Sequence, residues 1–219
     1  MRIAFMGTPE LAALSLKALL ESRHEVVAVV SQPDRPSGRG RKLIPTPVAA
    51  LARDAGIPLN QPDSVGTAEF RAWLASHNPE LCVVAAFGRI LGPKLLGLPP
   101  GGCINVHASL LPRWRGASPI QSAVLAGDKE SGVTIMRMVR ELDAGDMLHK
   151  VTTPILPEDT AGSLHDRLAS LGAQALLESL DLMEEGKLDE RVQDESQVTY
   201  APRIAKADGD LNWEQSAAE

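Results

Sequence analysis

Residues 2–30 read RIAFMGTPELAALSLKALLESRHEVVAVV and predict the fold class of the chain. The apolar run at residues 2–6 predicts a strand, and Thr8 followed by Pro9 predicts the N-cap and first turn of a helix. Residues 25–30 are almost continuously β-branched, which is typical of a buried strand. A strand, a helix and a strand in succession indicate the opening of an α/β sheet.

The same alternation of strands and helices continues along the chain. Further strands are predicted at residues 81–87, 103–107, 133–139 and 147–155, and helices at 48–54, 67–75, 119–126 and 164–175. Because the strands are apolar on both faces, we expect a Rossmann-like, doubly wound α/β fold with a mostly parallel sheet and helices on both faces. Residues 31–47 predict no packed element, and nothing after Gly186 has the pattern of a core segment.

Length and composition exclude several classes of protein. The 219 residues are 44% hydrophobic and 23% charged with a net charge of −6, which indicates a globular chain. No apolar run approaches the roughly 18 to 20 residues of a membrane helix. Cys82 and Cys103 form neither a CxxC pair nor a zinc-ligand pattern. We therefore expect a cytoplasmic protein that does not contact a membrane.

The common nucleotide and metal motifs do not occur in the sequence. The first loop holds one glycine, Gly7, where a dinucleotide fingerprint needs three, and no acid follows the second strand. A phosphate loop, HExxH and GxSxG are also missing. The sequence therefore predicts no NAD site and no metal site, and a dinucleotide oxidoreductase has only the fold in its favour.

One strand ends in two polar residues. Because alternate residues of a strand share a face, Asn105 and His107 project together at the carboxyl end of the 103–107 strand. An amide and an imidazole can stabilise an oxyanion during acyl transfer. No activated nucleophile stands beside them, which favours direct transfer to an external nucleophile. The alternative is that both side chains only cap the end of the strand.

An acidic turn could supply a carboxylate to this histidine. Glu141, Asp143 and Asp146 surround Gly145 after the predicted 133–139 strand. All three could equally be solvated turn residues, and the residues alone do not choose among them.

Basic residues are concentrated in the loop after the second strand. Asp34 is the one acid in a segment that also contains Arg35, Arg39, Arg41 and Lys42. Such a loop in an acidic protein would attract a polyanion such as RNA. Arg113 and Arg115, on either side of Trp114, add charge and a stacking surface. The alternative is a solvent-exposed loop with incidental arginines.

The chain resembles the methionyl-tRNA formyltransferase family over essentially its whole length, and the match is close in three segments. They are INVHASLLPRWRGASPIQ at 104–121, QPDRPSGRGRKL at 32–43 and LDAGDML at 142–148. The Asn-x-His-x-Ser-Leu-Leu-Pro pattern with a downstream Asp-x-Gly is similar to that of the wider folate-dependent formyltransferases, including those acting on glycinamide ribonucleotide and nucleotide sugars. The Arg-Trp-Arg-Gly-Ala run and the Gln-Pro-Asp-Arg-Pro loop resemble the tRNA enzymes specifically.

The resemblance implies formyl transfer from 10-formyltetrahydrofolate to the α-amino group of methionyl initiator tRNA. It implies that Asn105 and His107 stabilise the formyl oxygen and that Asp143 holds His107 and relays a proton. The folate would lie against Ser109, Leu110, Leu111, Pro112, Phe87, Gly88, Arg89, Ile90 and Leu91. The tRNA acceptor arm would contact Arg35, Arg39, Arg41 and Lys42.

The resemblance also implies a domain organisation. Residues 1–206 would form the catalytic domain of a monomer, and residues 207–219 would begin a linker to a β-barrel domain. Two alternatives to this function stay open at this point. One is a formyltransferase with a small amine acceptor, which would not need the arginine-rich loop. The other is a folate- or RNA-binding module without catalysis, against which the presence of Asn105, His107 and Asp143 argues.

Overall fold

A computed structural model describes residues 1–37 and 42–210 of the chain. The strands in these ranges are β1 Arg2–Gly7, β2 Glu25–Val30, β3 Arg35–Ser37, β4 Lys42–Ile44, β5 Leu59–Asn60, β6 Leu81–Ala85, β7 Cys103–His107, β8 Arg115–Gly116, β9 Glu130–Arg137, β10 Met147–Pro154 and β11 Tyr200–Ala201. The helices are α1 Glu10–Leu20, α2 Pro47–Asp54, α3 Ala68–Ser76, α4 Pro93–Leu96, α5 Pro119–Leu125 and α6 Ala161–Glu184, with 3₁₀ turns at Glu195–Gln197 and Lys206–Gly209.

The central sheet has seven strands in the order β10-β9-β7-β6-β1-β2-β5. Strand β9 runs antiparallel to both β7 and β10, and the other neighbours are parallel. Strands β2 and β5 lie on one side of β1, whereas β6 and β7 lie on the other. The predicted doubly wound, mostly parallel sheet is therefore confirmed. Its connections change direction beside β1, where such folds open a crevice at the carboxyl ends of the strands.

Helices cover both faces of the sheet, as predicted. Buried residues of α1, α2, α5 and α6 pack in one core with Ile104 and Val106 of β7. Residues of α3 and α4 pack in the other core with Cys103. Asn105 and His107 therefore point to the second face, where α4 has only four residues. None of the described helices, including the 24-residue α6, is apolar enough over a sufficient length to cross a membrane.

The prediction that Thr8 caps α1 is wrong. The N-cap residue is Pro9, in an extended conformation with φ −82° and ψ −177°, so the helix begins at Glu10. The Thr8 hydroxyl instead donates to the carbonyl of Phe87, at 3.3 Å. Thr8 therefore links the loop after β1 to the loop after β6.

Residues 31–47 contain packed structure, contrary to the sequence prediction. β3 and β4 pair antiparallel to form the basic hairpin, residues 35–44, of which 38–41 lie outside the described residues. The preceding Asp34 carboxylate accepts hydrogen bonds from Gln61 at 2.6 Å and Arg53 at 2.9 Å. These polar contacts between residues distant in sequence hold the hairpin in place. The sequence did not predict them, because they produce no periodic pattern of apolar residues.

The segment after α6 also packs on the domain, which the sequence did not indicate. Residues 191–201, called the strap segment here, contain the buried Gln193 and Ala201. Arg191 and Met147 exchange two backbone hydrogen bonds of 2.9 and 2.8 Å, and β11 pairs with β8. Main-chain pairing rather than an apolar periodicity holds the strap segment in place, so its polar sequence gave no core signal.

Candidate active site

Strand β7 places an amide and an imidazole on one face of the sheet. β7 spans Cys103–His107, the range predicted from the sequence. Asn105 lies opposite Val84 of β6 and Met136 of β9, in the middle of the sheet. His107 is buried, whereas Asn105 is half-buried. The Asn105 amide makes no hydrogen bond with any of the described residues, so its donor is available to a ligand.

The two ring nitrogens of His107 have different surroundings. Nε2 lies 2.9 Å from the carbonyl oxygen of Trp114. Because a carbonyl only accepts, Nε2 carries a proton and donates it. Nδ1 faces a carboxylate oxygen of Asp143 at 3.8 Å, which is longer than a hydrogen bond. Nδ1 is thus the nitrogen left for a reacting group, and catalytic hydrogen bonds are often long before a ligand binds.

The structure separates the three acids of the 141–146 turn. Within the described ranges, Asp143 is the acid whose carboxylate comes within 4 Å of the His107 ring. The same oxygen accepts a 2.9 Å hydrogen bond from the Gly116 backbone N–H. Glu141 is exposed. The geometry thus brings Asp143 to His107 on independent grounds from the resemblance.

Strained backbone surrounds these side chains. Ala86, Trp114 and Asp143 have φ values of 42°, 66° and 47°, in the left-handed region that non-glycine residues avoid. Each such residue costs on the order of 1–3 kcal/mol and persists only where its surroundings hold it. All three lie in loops at or beside the Asn105/His107 face, where the exact direction of a backbone group matters most.

The loop after β6 presents both buried and exposed residues. Phe87 and Leu91 are buried, and the Phe87 carbonyl accepts a 2.8 Å hydrogen bond from the Gln32 amide. Arg89 donates to the carbonyl of Asp63. Gly88 is exposed, and Ile90 is 89% exposed. Of the residues predicted here to bind folate, Ile90 thus offers the most open apolar side chain.

The loop after β7 is held by internal hydrogen bonds. Ser109 is buried, and its hydroxyl donates to the carbonyl of Arg113 at 2.6 Å. The Leu111 N–H donates to the buried Thr134 hydroxyl, at 3.1 Å. Leu110, Leu111 and Pro112 line a cavity of about 500 Å³ together with Trp114 and Lys150. Residues 87–91 do not line this cavity, so the structure does not bring the two predicted folate segments into it together.

The Arg113–Arg115 run does not form an open basic surface. Arg113 stacks on the Trp114 ring, 4.3 Å from its centroid, and makes two hydrogen bonds to Asp128 of 2.9 and 2.7 Å. Arg115 is buried and pairs with Gln193 and Glu195. The expectation that both arginines add free positive charge is therefore wrong for Arg115. Its guanidinium is an internal support.

Replacing Asp128 tests how the Trp114 loop is held. The Arg113 guanidinium and the Trp114 indole N–H lower the pKa of Asp128. A carboxyl whose folded-state pKa is lowered contributes stability that is present above its unfolded pKa and is lost as the pH falls through the folded value. We expect Asp128→Asn to lose about 1 kcal/mol at pH 7. Urea unfolding should show this difference shrinking below about pH 4, the unfolded Asp pKa.

The exposed Glu69→Gln variant serves as the control for a lost surface charge. A difference between wild type and Asp128→Asn that stays constant from pH 7 to pH 3 would contradict the assigned ion pair.

The predicted tRNA contacts are only partly visible. Arg35 begins the basic hairpin, and its guanidinium donates to the Gln32 side chain at 2.9 Å. Arg39 and Arg41 lie outside the described residues, and of Lys42 only the backbone is described, in β4. Gln32 contacts both Arg35 and the Phe87 carbonyl, so the hairpin base and the 87–91 loop share one polar residue.

A group of possible metal ligands lies where the residue before β2 meets the end of α6. His24, Asp181 and Glu184 have ligand atoms within 4.8 Å of one another. The Met1 ammonium bonds to Glu184 at 2.9 Å, and Arg23 pairs with Asp181 at 2.6 Å and Glu184 at 2.8 Å. Burial, then the Met1 charge, lowers the pKa of His24. The acids already have cationic partners.

Three contributors to the site have no signal in the sequence pattern. The Trp114 carbonyl and the Gly116 N–H are main-chain groups, which a side-chain pattern does not reveal. Gln193 donates to the Asp143 and Gly145 carbonyls, each at 2.8 Å. It lies fifty residues from Asp143 in a polar stretch, and no spacing signal connects the two.

Comparison with known proteins places the chain in a family. The sequence model of the family described as "Formyl transferase" matches residues 1–180. A methionyl-tRNA formyltransferase of Pseudomonas fluorescens is 56% identical over 219 residues, covering 100% of this chain and 69% of that protein. One from Marinobacter nauticus is 51% identical over 219 residues and covers 100% of this chain and 70% of its own length.

Solved structures show the same fold. Glycinamide ribonucleotide transformylase 1 from Symbiobacterium toebii has a TM-score of 0.71 at 23% identity, covering 89% of this chain and 94% of that one. An N-formyltransferase from Helicobacter canadensis has a TM-score of 0.72 at 18% identity, and the match covers 98% of this chain and 76% of that one. From the family match and the identities above, the chain belongs to the formyl transferase family and, within it, to the methionyl-tRNA formyltransferases.

Proposed function

We propose that this protein transfers the formyl group of 10-formyltetrahydrofolate to the α-amino group of methionyl initiator tRNA, in the cytoplasm, for translation initiation. The observation that carries the proposal is the convergence of Asn105, His107 and Asp143 at the carboxyl end of β7. Membership of the methionyl-tRNA formyltransferases supports the choice of acceptor. We take residues 1–206 as the catalytic domain of a monomer that needs neither metal nor NAD.

The three side chains suit an acyl transfer without a covalent enzyme intermediate. The neutral amine attacks the formyl carbon, a carbon–nitrogen bond forms, and negative charge develops on the formyl oxygen. The free Asn105 amide donates to that oxygen. His107 acts in its protonated form: Nε2–H stays bonded to the Trp114 carbonyl, and Nδ1–H donates to the developing oxyanion. The bond from the formyl carbon to the folate nitrogen then breaks.

Asp143 completes the transfer of the proton. Its carboxylate lies 3.8 Å from Nδ1, close enough to balance the charge of a protonated imidazole. The proton that leaves the attacking amine passes through Asp143 or a water beside it to the departing folate nitrogen. Ser109, the nearest hydroxyl in sequence, is committed to the Arg113 carbonyl and offers no nucleophile.

The folate donor is proposed to lie beside the loop after β6. β6 pairs with β7 in parallel, so Phe87–Leu91 begin next to the catalytic strand. The exposed Ile90 and the main chain at Gly88 and Arg89 suit a planar heterocycle, while Phe87 and Leu91 support the loop from inside. The rest of the folate is proposed to lie against Leu110 and Pro112, which are half-buried, beside the buried Ser109 and Leu111.

The acceptor arm of the tRNA is proposed to contact the basic hairpin. Its four basic residues, Arg35, Arg39, Arg41 and Lys42, belong to a chain with a net charge of −6. RNA binding to this protein would therefore be local and dependent on salt. The shared Gln32 places the hairpin base next to the proposed folate loop.

Formyl transfer assays test donor and acceptor together. We expect the protein to formylate methionyl initiator tRNA with 10-formyltetrahydrofolate. Activity on an amino-sugar nucleotide but not on the tRNA would overturn the acceptor. Failure to bind the folate in calorimetry would overturn the donor as well.

Neutralising the basic hairpin should weaken tRNA binding without changing folate use. In a variant with Gln at positions 35, 39, 41 and 42, we expect the tRNA KM to rise about tenfold at physiological salt. The slope of log affinity against log salt should become shallower by up to about four units, and the folate KM should not change. Lys17→Gln, on the exposed side of α1, is the matched control. An unchanged salt slope would exclude the hairpin from the RNA contact.

A further inference from the structure

We infer that Gln193, on the strap segment, is a positioning residue for the reaction, and that it acts by holding the Asp143 loop against His107. The inference rests on the proposed function, because it presupposes the role of Asp143. It also gives residues 191–201 a part in catalysis, although the segment follows α6 and contains none of the three proposed catalytic residues.

The Gln193 side chain bridges two carbonyls of the acidic turn. Its Nε2 donates to the carbonyl oxygens of Asp143 and Gly145, each at 2.8 Å. The side chain is buried, with Gln193 only 3% exposed. Both amide hydrogens are therefore used within the turn, and water does not compete for them. The contact fixes the direction of the Asp143 backbone on both sides of Ala144.

Arg115 fixes the orientation of the amide. Its Nε donates to Gln193 Oε1 at 3.0 Å, and its Nη2 pairs with Glu195 at 2.7 Å. A guanidinium only donates and a carbonyl only accepts, so a flipped Gln193 amide would lose all three hydrogen bonds. Gln193 and Arg115 thus form one buried polar unit with a single arrangement.

Asp143 needs such support because its conformation is strained. Its φ of 47° is unfavourable for a residue with a Cβ. Gly145 is packed so closely that an added Cβ would overlap the Arg137 carbonyl, at 2.0 Å. The turn is therefore held by close packing of Gly145 on the Arg137 backbone and by the two hydrogen bonds from Gln193. In this position the Asp143 carboxylate accepts from the Gly116 N–H at 2.9 Å and lies 3.8 Å from His107 Nδ1.

Backbone hydrogen bonds hold both ends of the strap segment, one end to the start of β10 and the other to residues 115–117. Arg191 pairs with Met147 at the start of β10. The Thr199 carbonyl accepts from the Arg115 N–H at 2.9 Å, and the Ala201 carbonyl from the Ala117 N–H at 2.9 Å. The segment that carries Gln193 therefore also binds the backbone of residues 115–117. That backbone includes the Gly116 N–H, which donates to the Asp143 carboxylate.

The Gln193→Glu substitution separates the two halves of the contact. A carboxylate keeps an acceptor for Arg115 but places oxygen against the two turn carbonyls. The donor function is therefore lost, and the added negative charge faces the Arg115 guanidinium. We expect kcat to fall roughly 10- to 100-fold, as misplacement of a catalytic group by about 1 Å would cause. The KM values for folate and tRNA should stay within twofold. The exposed Val192→Ala is the control on the same segment.

A double-mutant cycle with Asp143→Asn distinguishes positioning from general support. If Gln193 acts through Asp143, Gln193→Glu should slow the Asp143→Asn enzyme less than threefold. Additive losses would overturn the inference, even if both single variants are slow. A fully active Asp143→Asn enzyme would instead overturn the proposed role of Asp143, so the two failures have different signatures.

A second variant keeps the test informative if Gln193→Glu does not fold. Gln193→Asn keeps an amide but is one methylene shorter, so it no longer spans from Arg115 to the turn. Circular dichroism and thermal unfolding of each variant identify the folded ones. A folded Gln193→Asn enzyme with wild-type kcat would contradict the inference.

Discussion

The His107→Ala variant should lose at least about 100-fold in kcat/KM for formyl transfer while it remains folded. Removal of one donor to a developing oxyanion typically costs about 10²- to 10³-fold. Nδ1 is the imidazole nitrogen that is free for this task, since Nε2 is bonded to Trp114. Single-turnover assays with saturating folate and tRNA measure the chemical step directly. We expect the loss in kcat rather than in substrate binding.

The His107→Ala substitution also has an effect on stability, which can be measured separately from its effect on catalysis. It leaves the Trp114 carbonyl without its 2.9 Å partner, which should cost about 1–3 kcal/mol of folding free energy. His165→Ala removes an imidazole whose ring is partly exposed on α6 and contacts Asp166, and it serves as the control. A His107→Ala enzyme within threefold of wild type would exclude the imidazole from catalysis.

The residues that could be identified from sequence are those linked by short-range periodicity. Strand β7 has the predicted bounds, and the two-residue period correctly put Asn105 and His107 on one face. The place of the turn after a strand narrowed the carboxylate to three candidate acids, but the pattern of residues could not choose among them. The family resemblance pointed to Asp143. The fold supplies the physical reason, because β9 runs antiparallel to β7 and the turn then returns across the sheet.

The parts that could not be predicted depend on contacts between distant, non-apolar groups. Arg115 reads as one member of a basic run, yet the strap segment buries it against Gln193. Thr8 reads as a helix cap, yet its hydroxyl bonds to Phe87 across the crevice. In each case a hydrogen bond to a residue distant in sequence determines where the side chain lies. The neighbouring residues in the sequence do not indicate which residue that partner is.

These contacts share one physical role, which is to hold strained loops in place. Apolar packing sets the strands, but it does not specify where a loop carbonyl or carboxylate points. Directional hydrogen bonds do so for Trp114 through Thr199 and for Asp143 through Gln193. The catalytic face therefore depends on polar residues, such as Gln193 and Thr199, that lie far along the chain from the loops they hold in place.

The Asp143→Asn variant should be slowed by at least about 100-fold, with unchanged stability. Asparagine tolerates the left-handed φ of 47° as well as aspartate does, so the turn is expected to keep its shape. The amide oxygen can still accept from the Gly116 N–H, which leaves the 2.9 Å contact in place. What the variant loses is the negative charge that balances a protonated His107 and the site that takes up the amine proton.

Glu141→Gln is the matched control, because it removes a charge from the same turn at an exposed position. We expect it to retain full activity, since its carboxylate lies outside the contacts of His107. Equal losses in Glu141→Gln and Asp143→Asn would mean that the turn acts only through its total charge. A selective loss in Asp143→Asn, with wild-type thermal unfolding, would show that one carboxylate in one geometry completes the proton transfer.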